Sequence, residues 1–168
     1  MKILVACVGN IFLGDDGFGV EVARSLAQRQ LPKGLSAKDF GIRGFDLAYA
    51  LLEAWDLVII VDALPRGEAP GTLYVVEPAV NGAAAKKTAI NPHGMDPAYV
   101  LSLAASMGTI STQVLVVGCE PHDFGDELEG RMGLSPPVQA AVEEASNMIL
   151  RLVATRQTNS VQLQTMEG

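Results

Sequence analysis

Three uninterrupted apolar runs constrain this chain more than any other feature. Residues 3–8, 57–61 and 114–117 are built from Val, Ile, Leu, Ala and one Cys. A strand with one face in water alternates apolar and polar residues. A run that is apolar throughout must be covered on both faces, which points to a largely parallel sheet between two layers of helices. The intervening segments support this, because 20–27, 45–55, 95–105 and 136–152 carry helical spacing and good helix formers. Pro136 and Pro137 suit the first turn of the last helix. Strands are expected at 3–8, 35–41, 57–62, 72–77 and 113–118. The expected fold is therefore α/β: a three-layer α/β/α arrangement with a mostly parallel, twisted five-stranded sheet and right-handed crossovers. Residues 72–77 follow the preceding strand without a helix between, so they are expected to form an antiparallel edge strand. Segments 79–91 and 121–133 read as loops where mobility and partner choice concentrate.

With 168 residues, the chain suits one domain of roughly 100–200 residues. We place it at 1–155, followed by a polar, aperiodic tail at 156–168 that is expected to be flexible. Hydrophobic residues at 49% against 18% charged describe a globular chain. The formal charge of −7 argues against nucleic acid, whose binding rests on phosphate neutralisation, and against an anionic membrane surface. No run approaches the ~18 apolar residues of a membrane span. The apolar start runs straight into a Gly/Asp loop without a small-residue cleavage site, so it reads as a strand rather than a signal peptide. Cys7 and Cys119 are too few for a disulfide framework and read as buried free thiols. The expected compartment is the cytoplasm.

In open α/β sheets, ligands gather outside the carboxyl ends of the strands. The first strand runs into Gly9-Asn10-Ile11-Phe12-Leu13-Gly14-Asp15-Asp16-Gly17-Phe18-Gly19, and the third ends in Asp62. His93 stands in Asn91-Pro92-His93-Gly94 just ahead of a helix, and the fifth strand ends Gly118-Cys119-Glu120-Pro121-His122-Asp123. The first loop lacks both G-x-G-x-x-G spacing and a Walker lysine. Its two aspartates also stand where a pyrophosphate needs positive potential, so no nucleotide cofactor is expected. Helix capping, at about 1 kcal/mol, accounts for one of these aspartates but not readily for both. Asp62 has a local reading as a partner of its own turn, yet a carboxylate ending so apolar a strand is costly to bury without a partner. His93 is equally readable as a surface turn residue. Together, Asp16, Asp62 and His93 offer two carboxylates and an imidazole from three adjacent loops. That donor set suits a borderline divalent metal such as nickel or zinc, or a metal-free acid–base site. No Ser or Cys nucleophile accompanies it, since Cys7 is mid-strand and there is no G-x-S-x-G elbow. His122 and Asp123 read as an exposed loop, and Phe45, Tyr49 and Trp55 as packing around the second helix.

The ordered set of motifs resembles the nickel–iron hydrogenase maturation endopeptidases across about residues 1–150. It comprises Gly9-Asn10-x-x-x-Gly14-Asp15-Asp16-Gly17-x-Gly19, Asp62-Ala63, Pro70-Gly71-Thr72, His93, Gly118-Cys119-Glu120-Pro121 and Gly133-Leu134-Ser135-Pro136-Pro137-Val138. The resemblance implies an aspartyl-type protease that removes a C-terminal extension from the hydrogenase large-subunit precursor after nickel insertion. The family's metal-contacting positions fall on Asp16, Asp62 and His93, with the nickel supplied by the precursor as a recognition handle. Some members carry Glu at the Asp16 position, which implies a shorter reach here. After the second strand the chain reads Asp39-Phe40-Gly41-Ile42-Arg43-Gly44, where many members have Asp-Gly-Gly-Thr or Asp-Gly-Gly-Ser. Asp39 is the further carboxylate the resemblance offers for catalysis, beside Asp16 and Asp62. A monomer is expected, with the precursor as its partner. The competing readings are a non-cleaving, nickel-sensing chaperone for the same large subunit, a metal-independent aminohydrolase or nucleotide enzyme on this architecture, and a spore-type protease of related fold.

Overall fold

A computed structural model describes residues 1–78, 80, 96–126 and 128–166, with side chains of the last helix as far as residue 159. Within these residues, five strands form one sheet: β1 (Ile3–Val8), β2 (Leu35–Gly41), β3 (Leu57–Ala63), β4 (Leu73–Val76) and β5 (Gln113–Cys119). Their order is β2-β1-β3-β5-β4. β1 pairs parallel with β2 and β3, and β3 parallel with β5. β4 runs antiparallel on β5 as the edge strand expected from the missing crossover helix. Helices α1 (Phe18–Ala27), α2 (Gly44–Leu51), α3 (Pro97–Met107) and α4 (Pro136–Met166) connect or follow the strands. The parallel α/β architecture read from the apolar runs is the one observed.

The continuous runs are apolar because each serves two cores. Ile3, Val5 and Cys7 of β1 join Leu57, Ile59 and Val61 of β3 against α1 and α4. Leu4, Ala6 and Val8 join Val58 and Ile60 against α2 and α3. Phe18, fully buried at the start of α1, contributes roughly 1.5–3 kcal/mol by its burial alone. Pleating puts Asp62 in series with Val58 and Ile60, on the side covered by α2 and α3. β1 sends its chain to β2 on one side, and the next crossover returns to β3 on the other. The carboxyl ends of β1 and β3 therefore flank the topological switch point, where such sheets open a crevice. Gly19 lets α1 close on this crevice. A Cβ there would stand 2.1 Å from the Val8 carbonyl oxygen and 2.6 Å from that of Val61.

The structure corrects several boundaries. α2 stops at Leu51 rather than 55, because its last turn tightens into Leu52 N–H to Tyr49 and Glu53 N–H to Ala50 bonds. Its buried stripe is Leu47, Ala48, Ala50 and Leu51, which leaves Phe45 and Tyr49 facing solvent. The packing role read for those two aromatics is therefore wrong, whereas Trp55 does pack against the core. α3 begins at Pro97, with Asp96 as its cap accepting the Ala98 N–H at 2.8 Å. α4 continues as helix to Met166 instead of ending at 152. Among the residues whose side chains are described, its last buried position is Val153, and no Gly or Pro stands between there and Met166 to break the backbone. The segment 79–91 falls almost wholly outside the described residues, and His93 lies outside them as well. No helix among the described residues is long and apolar enough to cross a membrane.

Candidate active site

The loop after β1 folds into a single 3-10 turn, Gly14–Gly17, which carries both aspartates and is buried throughout. Neither caps a helix through its side chain, contrary to the simplest reading of an Asp pair before α1. Asp16 reaches back across the loop, where its Oδ2 accepts the Asn10 N–H at 2.9 Å. Gly9 makes room for this return. Its φ of +143° is open to glycine, and a Cβ would lie 1.9 Å from the Asp16 carbonyl oxygen.

Asp62 is 4% exposed, and its Oδ1 accepts the N–H of Ala63 at 2.8 Å. Burial first, then the charge of Asp16, push its carboxyl well above the usual carboxylate range. The Ala63 bond pulls the other way, and the charge of Asp96 adds to the rise. The structure thus brings Asp16 and Asp62 into one electrostatic neighbourhood at the switch point, with Asp96 at the start of α3 beside it. A carboxyl raised by burial beside a second carboxylate is the raw material of acid–base chemistry and of cation binding. Among the described residues, no three His, Cys, Asp or Glu side chains gather as a metal site. His93, the third member of the sequence-derived set, lies outside the described residues.

Asp39 sits apart. It is exposed at the end of β2, where its Oδ1 accepts the Gly41 N–H at 2.8 Å. β1 lies between β2 and β3, so Asp39 starts roughly 10 Å from the strand that carries Asp62. Neither thiol is prepared as a nucleophile. Burial pushes Cys119 up to about 12, helped by Asp15 and Glu120, and Cys7 is raised further by burial and by Asp39.

Asp15 is fully buried and gathers two distant segments. Its Oδ2 accepts the His122 N–H at 2.8 Å, the Asp123 N–H at 3.1 Å and the Ser135 hydroxyl at 2.8 Å. Its Oδ1 accepts the Ser135 N–H at 2.6 Å. Burial would raise its pKa, but these donors together hold the carboxyl below its ordinary value. Glu120, also buried, accepts the Arg66 N–H at 2.7 Å and the Gly67 N–H at 3.2 Å. His122 and Asp123 stand on the exposed loop expected for them, with Asp123 paired to Arg131 at 2.6 Å. Asn10 and Ser135 entered the sequence reading only as parts of the family motifs, and Asp96 not as a site residue at all, because a backbone amide, a hydroxyl and a helix cap announce no chemistry of their own.

A family model described as hydrogenase maturation protease matches residues 20–152, a span that includes Asp62 and His93. The hydrogenase 2 maturation protease of Escherichia coli is 35% identical over 153 residues, covering 89% of each chain. The hydrogenase expression/formation protein HoxM of Azotobacter vinelandii is 34% identical over 163 residues, or 92% of this chain and 73% of that protein. Among solved structures, the hydrogenase maturating endopeptidase HybD of Escherichia coli superposes with a TM-score of 0.73. It is 31% identical, over 94% of each chain.

Proposed function

The chain belongs to the hydrogenase maturation protease family, its enzymes being endopeptidases, and we propose that it cuts a C-terminal extension from a nickel-loaded hydrogenase large-subunit precursor. The observation that carries this reading is the buried carboxylate pair, Asp16 and Asp62, at the switch point of the sheet. In the proposed reaction a water oxygen bonds to the scissile carbonyl carbon while a carboxylate takes the water's proton. The carbon–nitrogen bond then breaks as the leaving amine receives that proton. Asp16 and Asp62 are the nearer candidates for this transfer by position. Asp39 remains in the proposed set as a carboxylate that has to approach from the end of β2.

The nickel is substrate-borne in this reading and serves as a handle for Asp16, Asp62 and His93. Oxygen and imidazole donors suit a borderline divalent ion. His93 stands three positions before Asp96, whose charge reaches Asp62, and that spacing supports its place in the set. His93→Ala tests the reading. It is expected to abolish removal of the extension, read as intact mass of the precursor, while moving the melting temperature by less than about 2 °C. Full processing by this variant removes His93 from the site. A stable complex with no mass change for the unaltered protein turns the reading into a non-cleaving binding module.

A further inference from the structure

We infer that Asp15 is a positioning residue for Asp16, fixing the direction of that carboxylate by anchoring the turn that both share. The inference rests on the reading of Asp16 as a site carboxylate, and it concerns a neighbour that touches no reacting atom.

Consecutive residues in a 3-10 turn project about 120° apart. Whatever fixes Asp15 therefore fixes the direction in which Asp16 leaves the turn. Asp15 is held by four donors from residues 107 to 120 positions away, and it lies wholly out of solvent. The anchoring is reciprocal, because the Asp15 N–H donates to the Asp123 carbonyl at 3.1 Å and the Gly14 N–H to the Arg131 carbonyl at 2.7 Å. Arg131 in turn pairs with Asp123 at 2.6 Å. The turn is thus clamped from behind by the segment between β5 and α4, and Asp16 faces forward to Asn10 and the field of Asp62. Geometry also explains the need for a carboxylate. Both of its oxygens accept N–H donors, and an amide in its place would set an NH2 group against one of them.

The test follows two readouts in Asp15→Asn, Ser135→Ala and Ser135→Thr. The first is hydrogen exchange at the Asn10 amide, which reports the bond to Asp16 without any substrate. The second is kcat and KM for precursor cleavage, taken well below each variant's melting temperature. Asp15→Asn is expected to lower kcat about 100-fold, as small misplacements of a catalytic group do, with KM within about threefold. Asn10 exchange is expected to quicken about tenfold through a local opening, as it does when one hydrogen bond to a charged group is lost, while Ile59 in β3 reports the change in global stability separately. Should Asp15→Asn not fold, Ser135→Ala is expected to move both readouts the same way by about fivefold. Ser135→Thr, which keeps the hydroxyl, is expected to restore them. A lowered melting temperature with kcat and Asn10 exchange unchanged makes Asp15 merely structural and overturns the inference. If the unaltered protein cleaves nothing, the proposed function fails, and Asn10 exchange still decides the role of Asp15.

Discussion

At the scale of single residues, the adjacent aspartates of the first loop have become chemically different groups. Asp15 is held below its ordinary pKa by its donors. A depressed carboxyl contributes stability above its unfolded value of about 3.9 and loses it as pH falls through the folded value. Asp15→Asn is accordingly expected to cost about 2–3 kcal/mol at neutral pH, read by denaturant unfolding, with the difference shrinking in acid. Asp62 has the opposite sign. Its raised folded pKa favours the fold below about 3.9, and that contribution is lost as pH rises from there through the folded value. Asp62→Asn is therefore expected to raise the melting temperature by a few degrees at pH 7.5, to leave it nearly unchanged at pH 4, and to abolish cleavage. A variant that is less stable at pH 7.5 would contradict the raised pKa. The residue types at the strand ends were legible in the sequence, because a carboxylate after Leu57-Val58-Ile59-Ile60-Val61 has few bland explanations. The work of Asp15 was not legible, because its partners are 107 to 120 positions away and three of its four donors are backbone amides, of His122, Asp123 and Ser135, that any residue but proline could supply.

At the scale of elements, the apolar runs disclosed the strands because burial on two faces leaves a continuous pattern that little else produces. β1 and β2 have the expected bounds, and β3 and β5 each run one residue further. Helix ends were less legible, being decided by local bonds that composition does not display. α2 ends in two tightened turns, and α4 outlasts its own apolar period. The outward turn of Phe45 and Tyr49 was missed for a related reason: their spacing agrees with a helix, but it does not say which stripe faces the sheet. The docking of α1 on β1 and β3 rests on Gly19, where even a methyl group meets two carbonyl oxygens at 2.1 and 2.6 Å. Gly19→Ala is expected to destabilise by at least about 3 kcal/mol, since backbone atoms of two central strands cannot both yield. Thermal unfolding checks this, and a loss under about 1 kcal/mol would mean that the helix shifts freely on the sheet.

At the scale of the whole molecule, the fold places one carboxylate on a rigid central strand and the other on a clamped turn, with the start of α3 alongside. In the proposed reading, a proton on Asp62, favoured by its burial and by the charge of Asp16, competes with the cation. Binding of nickel-loaded precursor is therefore expected to tighten as pH rises above the usual carboxylate range, whereas nickel-free precursor shows no such trend. Titration calorimetry in buffers of different ionisation enthalpy reads the released proton directly, and equal proton release with both precursors would remove Asp62 from the metal contact. The measurement that bears most directly on the account is the intact mass of a large-subunit precursor, nickel-loaded and nickel-free, before and after incubation with this protein. The account predicts loss of one C-terminal peptide from the nickel-loaded form alone. Equal cleavage of both forms would contradict the nickel handle, and an unchanged mass in both would contradict the protease.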